Sequence, residues 1–236
     1  MELDQIVVAT ITRARDAQEE RLVARTLTAL GALTLPIVAS DGGSSTAFVH
    51  EMSRLPNLTL VPSQHEGMIG QVRASVHGSR ALERPWVLYL ESDKELFVKE
   101  WLGEFLQKAA RHEQADVIVA ARSGRALATF PPFQRCTETA FNAVASEVTG
   151  VTADYLYGPF LMRQAVTVHV DAVPPDLGWG WRPFVFARAG RPVAIEGEYV
   201  CPPEQRREDE GERRHRLAQL AQNVQGLAHA AEHQGK

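Results

Sequence analysis

Cysteine is almost missing from this sequence. Cys136 and Cys201 are the two present among 236 residues, and they show no metal-ligand spacing and imply no disulfide framework. No apolar run approaches the roughly 18 residues that a membrane-spanning helix requires. The start, Met1-Glu-Leu-Asp-Gln5, lacks the basic stretch and apolar core of a signal peptide. These absences lead us to expect a soluble, cytoplasmic protein. Basic charge is not in excess either. The net charge of −4 argues against a general nucleic-acid binder, so no nucleic-acid partner is expected. No G-x-G-x-x-G follows the first β-branched run, which argues against a nicotinamide-dependent dehydrogenase. We find no internal repeat and no low-complexity segment.

What the sequence does contain is an alternation of short apolar runs and amphipathic stretches, with 44% hydrophobic residues to fill a core. Ile6–Thr10, Leu35–Ser40, Leu58–Val61, Trp86–Leu90 and Ala115–Ala120 read as strands. Between them, Asp16 caps a helix that ends at Gly31, and further helices carry Phe48 to Leu55, Val72 to Leu82 and Leu102 to Ala109. Strand-helix alternation over residues 1–121 predicts a doubly wound, mostly parallel sheet with helices on both faces. The second part is less regular. Thr137–Val148 and Pro183–Ala189 read as helices, Gly158–Met162, Val166–Val170 and Val193–Ile195 as strands, and Leu217 to Leu227 as a helical stripe. Gln234-Gly-Lys236 reads as a frayed end.

The chemistry gathers at strand ends. The run Trp86-Val-Leu-Tyr-Leu-Glu91-Ser-Asp93 breaks off in two carboxylates, at the edge where open α/β sheets bind ligands. Such carboxylates suit Mg²⁺ or Mn²⁺ bridging a phosphorylated ligand, because hard cations take oxygen ligands. They also suit a polar turn in which Asp93 caps the next helix. Asp41-Gly-Gly-Ser-Ser45 follows another strand at the same edge. It is either a ligand-binding loop or a tight turn with a serine cap.

Taken in order, these segments resemble the nucleotide-sugar-binding half of the family-2-like glycosyltransferases, which have the GT-A fold. Ala9-Thr10 stands at the first turn, Asp41 at the second Asp of Asp-Asp-Gly-Ser, Arg73-Ala74 with Gly78 near Ala-Arg-Asn-x-x-Gly, and Glu91-Ser92-Asp93 at Asp-x-Asp. The resemblance covers about residues 5–121. It implies a Rossmann-like sheet with 1–121 as the nucleotide-sugar-binding half. Residues 122–236 would form a smaller acceptor-side and lid region of the same domain. It implies that Thr10 and Asp41 flank the base and ribose, that Arg73 reaches a phosphate, and that Glu91 and Ser92 lie near the ribose. Asp93 would bind the metal. Glu91 departs from the family, which has Asp there.

The segment Leu177-Gly-Trp179-Gly-Trp181-Arg182 resembles the family's Gly-Trp-Gly-Glu-Asp, whose acid serves inverting members as general base. Here Trp181 and Arg182 occupy the acid positions, so Asp176 is the nearest candidate base. A retaining reaction would need none. Trp179 and Trp181 are either acceptor-binding rings or core packing under a Gly-rich loop. His215 lies among Arg206, Arg207, Glu208, Asp209, Arg213 and Arg214, off the apolar stripe, and is either part of a solvated helical face or a further metal ligand. The expected function is transfer of a sugar from a nucleoside diphosphate sugar to an unknown acceptor, an EC 2.4 reaction. The alternatives are a nucleotidyltransferase and a noncatalytic nucleotide-sugar-binding protein.

Overall fold

A computed structural model describes residues 1–206 and 208–232. Arg207 and Gln234–Lys236, named above, lie outside the described residues. In chain order the elements are β1 (Ile6–Thr12), α1 (Ala17–Gly31), β2 (Ile37–Asp41), α2 (Thr46–Met52), β3 (Leu58–Leu60), α3 (Gly67–Arg80) and β4 (Trp86–Tyr89). They continue with α4 (Leu102–Ala109), β5 (Val117–Arg122), α5 (Gly124–Leu127), α6 (Pro132–Thr149), β6 (Phe160–Arg163), α7 (Trp181–Arg188), β7 (Val193–Gly197) and α8 (Glu210–Glu232).

All the strands join one sheet in the order β3-β2-β1-β4-β6-β5-β7. Neighbours are parallel except at β6, which runs antiparallel to both β4 and β5. The β-branched, wholly apolar strands fit a sheet covered on both faces. Alternation along β1 sends Ile6 and Val8 to one face, where they meet Leu27, Leu30, Phe105 and Leu106 of α1 and α4. Val7 and Ala9 go to the other face, against Val72 and Val76 of α3 and Trp181 and Phe184 of α7. From β1 the chain winds one way to β2 and later the other way to β4. The gap between the carboxyl ends of β1 and β4 is therefore the topological switch point, where open α/β sheets bind ligands.

Two expectations differ from the structure. Val166–Val170 is not a strand but part of a 3₁₀ helix over Gln164–Ala172. Both sides of β6 are already paired, so the chain leaving it has no free edge to join. Arg73 and Arg80 of α3 instead bind the carbonyls of Asp171 (3.1 Å) and Thr167 (2.5 Å). The helix expected over Thr137–Val148 starts five residues earlier. Pro132 opens α6, because a helix's first residue needs no N–H partner.

Helix α8 is held over the sheet by a close backbone approach. A Cβ on Gly226 would collide with the carbonyl oxygen of Gly180, and one on Gly180 with that of Gln222. The contact carries α8 across the switch-point edge. No helix among the described residues is long and apolar enough to cross a membrane.

Candidate functional site

A cleft of about 1470 Å³ opens over the carboxyl ends of β1, β2 and β4. The loop at 63–67 bounds it on one side, and α6 and α8 on the other. Asp41, Glu91, Ser92, Asp93, Trp179 and His215 line it; Thr10, Arg73, Asp176 and Trp181 do not.

At the end of β1 the cleft residue is Thr12. Thr10 shares its side of the strand but sits in mid-sheet opposite Ala39, with no exposed surface. The Thr12 hydroxyl donates to Asp41 Oδ1 (2.8 Å). The same carboxylate accepts the Ser44 hydroxyl (2.6 Å) and the amides of Gly43 (2.8 Å) and Ser44 (2.9 Å). Burial alone would push this carboxyl up, but these donors hold it below the ordinary Asp value. Each oxygen accepts two hydrogen bonds, so Asp41 is occupied in bracing its own loop and has little capacity left for a ligand.

Arg73 points away from the cleft. It binds the carbonyls of Val170, Asp171 and Val173 at the end of the 3₁₀ helix. On α3 the cleft-facing side chain is Gln71, two residues earlier and on the opposite side of the helix. Gln71 packs flat against Gly42, whose Cβ position its amide fills.

The sequence's two departures from the family pattern meet in space. Arg182 Nη1 donates to Glu91 Oε1, and both side chains are largely enclosed, at 6% and 13% exposure. Glu91's extra methylene is accommodated by Gly158, whose φ of +126° favours glycine and whose missing Cβ leaves room for Oε2. The Arg182 guanidinium also lies 5.1 Å from the centre of the Trp179 ring. So the cation at the acid position is tied to the strand-end carboxylate and does not lie free in the acceptor region. Removing one partner of an enclosed pair strands the other charge. Glu91→Gln and Arg182→Met should each cost about 3 kcal/mol in urea unfolding, with the double variant below the sum by on the order of 1–3 kcal/mol. Simple additivity would contradict the pairing.

Asp93 differs from both neighbours. Its side chain is 47% exposed, and Lys94 Nζ lies 3.6 Å from Oδ1. Its Oδ1, like Glu91 Oε2, has no hydrogen-bond partner among the described residues. His215 stands on the exposed side of α8 that borders the cleft. Desolvation lowers its imidazole, Glu212 partly offsets this, and Arg216 and Arg15 lower it further. Among the described residues, no three His, Cys, Asp or Glu side chains gather into a metal cage.

Trp181 lies in the core and not in the cleft. Its ring has no exposed surface and packs edge-on against Tyr89 (4.7 Å) and beside Phe160 (5.7 Å). Asp176 is exposed in the turn before Gly178, outside the cleft, and so is not placed to act as the base there.

Among solved structures, mannosyl-3-phosphoglycerate synthase from Rubrobacter xylanophilus superimposes with a TM-score of 0.68. The match covers 98% of this chain and 74% of that one, at 14% identity. Glucosyl-3-phosphoglycerate synthase from Mycobacterium tuberculosis, in complex with Mn²⁺, UDP and glucosyl-3-phosphoglycerate, gives 0.58 over 94% and 80% of the two chains, at 13% identity. This is the GT-A fold. No family model and no curated protein matches the sequence. At such identities the likeness to these structures establishes the fold alone. Within a GT-A fold, the cleft over β1, β2 and β4 is the face that carries the strand-end carboxylates.

A feature that sequence reading missed forms the cleft's far wall. Arg122, at the end of β5, is 4% exposed. It binds Asp154 Oδ2 (2.5 Å) and Oδ1 (2.9 Å), and Glu138 Oε2 (2.5 Å). Asn142 adds a bond to Asp154 (2.9 Å), and Gln134 one to Glu138 (2.9 Å). The guanidinium also faces the Phe130 ring at 4.3 Å. Burial would raise the Asp154 carboxyl, yet the attraction of Arg122 and its hydrogen bonds, with that of Asn142, hold it below the ordinary value. These carboxylates lie 16 and 32 residues from Arg122 in sequence, so no local spacing announces them.

Proposed function

We propose that the cleft is the donor site of a metal-dependent glycosyltransferase, which moves a sugar from a nucleoside diphosphate, UDP in the first instance, to an acceptor hydroxyl. The observation that carries this reading is the division of labour among the three strand-end acids. Asp41 is saturated by its own loop, Glu91 is paired through Oε1 with Arg182 while its Oε2 packs against Gly158, and Asp93 is half-exposed to the cleft with an Oδ1 that accepts no hydrogen bond among the described residues. UDP and Mn²⁺ are named with the M. tuberculosis structure that shares the fold, which supports uridine and Mn²⁺ as the first choices to test.

The residues present fit a hard cation. Asp93 supplies one carboxylate, His215 stands as a candidate neutral imidazole, and the sparse protein ligation leaves positions for phosphate oxygens and water. Mg²⁺ or Mn²⁺ bound there would stabilise the negative charge of the leaving diphosphate. The chain's own groups do the rest. Arg13 and Arg21 line the β1–α1 side of the cleft without a carboxylate partner among the described residues, where they favour bound phosphates. The Asp41-braced loop fixes the floor beneath the base and ribose. The Arg182–Glu91 pair orients the end of β4, and α8 with its Gly226 contact closes the wall opposite.

The placement of Arg182 where inverting members of the resembling family carry their base favours one second reading, a protein that holds nucleotide sugars without transferring them. A coupled assay for UDP release from UDP-glucose, UDP-galactose and UDP-N-acetylglucosamine with Mn²⁺ separates the two. Turnover above the no-enzyme rate supports the transferase. Tight binding with no release of UDP under any acceptor would leave the binding protein.

A further inference from the structure

Resting on the donor-site reading above, we infer that the acceptor is an uncharged, hydroxyl-rich molecule, a sugar or polyol, bound in the half of the cleft formed by α6 and α8.

The argument starts from charge. An anionic acceptor needs a cation whose charge is not already spent. In this half of the cleft the lining guanidiniums are those of Arg122, Arg182 and Arg216. Arg122 is held by Asp154 and Glu138 (both 2.5 Å) and Arg182 by Glu91. Arg216 Nε lies 2.7 Å from Glu212, and its Nη1 lies 4.0 Å from Glu138. Lys94, where the two halves meet, lies 3.6 Å from Asp93, beyond hydrogen-bond distance, and so stands with the diphosphate half of the cleft. Glu204 lines the same wall, and among the described residues no cation pairs with it, so the balance of those residues is neutral to acidic. The contrast with Arg13 and Arg21, which line the β1–α1 side, is the kind of asymmetry that would draw phosphates toward that side of the cleft.

The second step is hydrogen-bonding capacity. Asn223 of α8 is 2% exposed, lines the cleft, and its Oδ1 has no partner. A buried acceptor left unmet costs on the order of 1–3 kcal/mol, which an O–H donor from a ligand recovers. Glu138 on α6, 5% exposed, also lines the cleft. Its two hydrogen bonds, from Arg122 and Gln134, leave lone pairs over, since a carboxylate offers about four. Such oxygens take hydroxyl donors and repel phosphate or carboxylate. Thr137 and Gln219 add neutral polar groups, and the partly exposed Trp179 ring offers a face to C–H surfaces. Buried amides and acids beside an aromatic ring recognise hydroxyl groups, and a site built for hydroxyls discriminates strongly against analogues that leave its polar groups unpaired.

The test uses the full chain with Mn²⁺ and a UDP-sugar. One acceptor panel contains glycerol, glucose, mannose, maltose and trehalose; the other contains 3-phosphoglycerate, glycerol 3-phosphate, glycerate and lactate. Binding of each compound alone is followed by ligand-observed NMR, and products by mass spectrometry. Binding of, and transfer to, members of the neutral panel is the expected result. Asn223→Ala and Glu138→Gln should raise the neutral acceptor's KM at least tenfold while the calorimetric Kd for UDP stays within twofold. Asn223→Ala is the arm that spares the Arg122 network. Transfer to an anionic compound in preference to every neutral one overturns the proposal, as does absence of binding by the entire neutral panel. The UDP titration reports separately on the donor site, so loss of UDP binding would count against the donor reading and not against the acceptor class.

Discussion

Asp93→Ala is expected to abolish Mn²⁺-dependent binding of UDP, weakening it by at least about 100-fold in calorimetry, as befits loss of a group in direct contact with the metal. The folded state should barely notice. Asp93 is half-exposed, its Oδ1 accepts no hydrogen bond among the described residues, and Lys94 lies 3.6 Å away. Surface substitutions of this kind stay within about 0.5 kcal/mol, a melting shift of roughly 1–2 °C for a chain this long. The same substitution at either neighbouring acid mixes two effects. Asp41→Ala releases four hydrogen bonds that hold the Gly43–Ser44 turn, and Glu91→Ala leaves Arg182 enclosed without its partner. Asp93 alone separates ligand binding from folding. UDP affinity unchanged in Asp93→Ala would remove the metal from this position.

The largest effect on stability is expected at Arg122. Arg122→Met leaves Asp154 and Glu138 enclosed without their shared cation, which should cost about 3–5 kcal/mol at pH 7, or roughly 6–20 °C in Tm. The pH dependence has a definite sign. In the native protein the Asp154 carboxyl is held below its ordinary value. It therefore contributes stability that is fully present above the ordinary Asp value of about 3.9 and is lost as pH falls through that value toward the folded one. In Arg122→Met the attraction is gone and burial raises the same carboxyl, so the folded variant takes up a proton that the unfolded chain still lacks. The variant should regain stability relative to the native protein as pH drops from 7 to 4. Urea unfolding at both pH values checks this. A destabilisation that does not change between them would mean the network acts through packing and not through charge.

The sheet was legible because its strands are buried on both faces. Uninterrupted runs such as Ile6–Thr10 and Trp86–Leu90 have no other economical reading in a chain with no membrane-length segment. The strand-end acids were legible for the same reason, since a charge that ends an apolar run must lie at a sheet edge. Their division of labour was not. The four donors to Asp41 are set by the loop's turn geometry and by Thr12 from another strand, and the partner of Glu91 is Arg182, far along the chain. Thr10 and Thr12 have the same parity, so alternation could not tell which one reaches the cleft. Arg73 was drawn toward the phosphates by its place beside Ala74, whereas helical geometry gives the cleft to Gln71. Trp181 followed a Gly-rich segment that suggests an open loop, yet the close approach of Gly180 to α8 buries it. In each case the missing information was a contact between residues distant in sequence.

Titration calorimetry of the native protein with UDP, once in Mn²⁺ and once in EDTA, tests the central claim most directly. The account predicts micromolar binding with Mn²⁺ and at least tenfold weaker binding without it. No heat of binding in either buffer, or equal affinity in both, would contradict a metal-bridged diphosphate at Asp93.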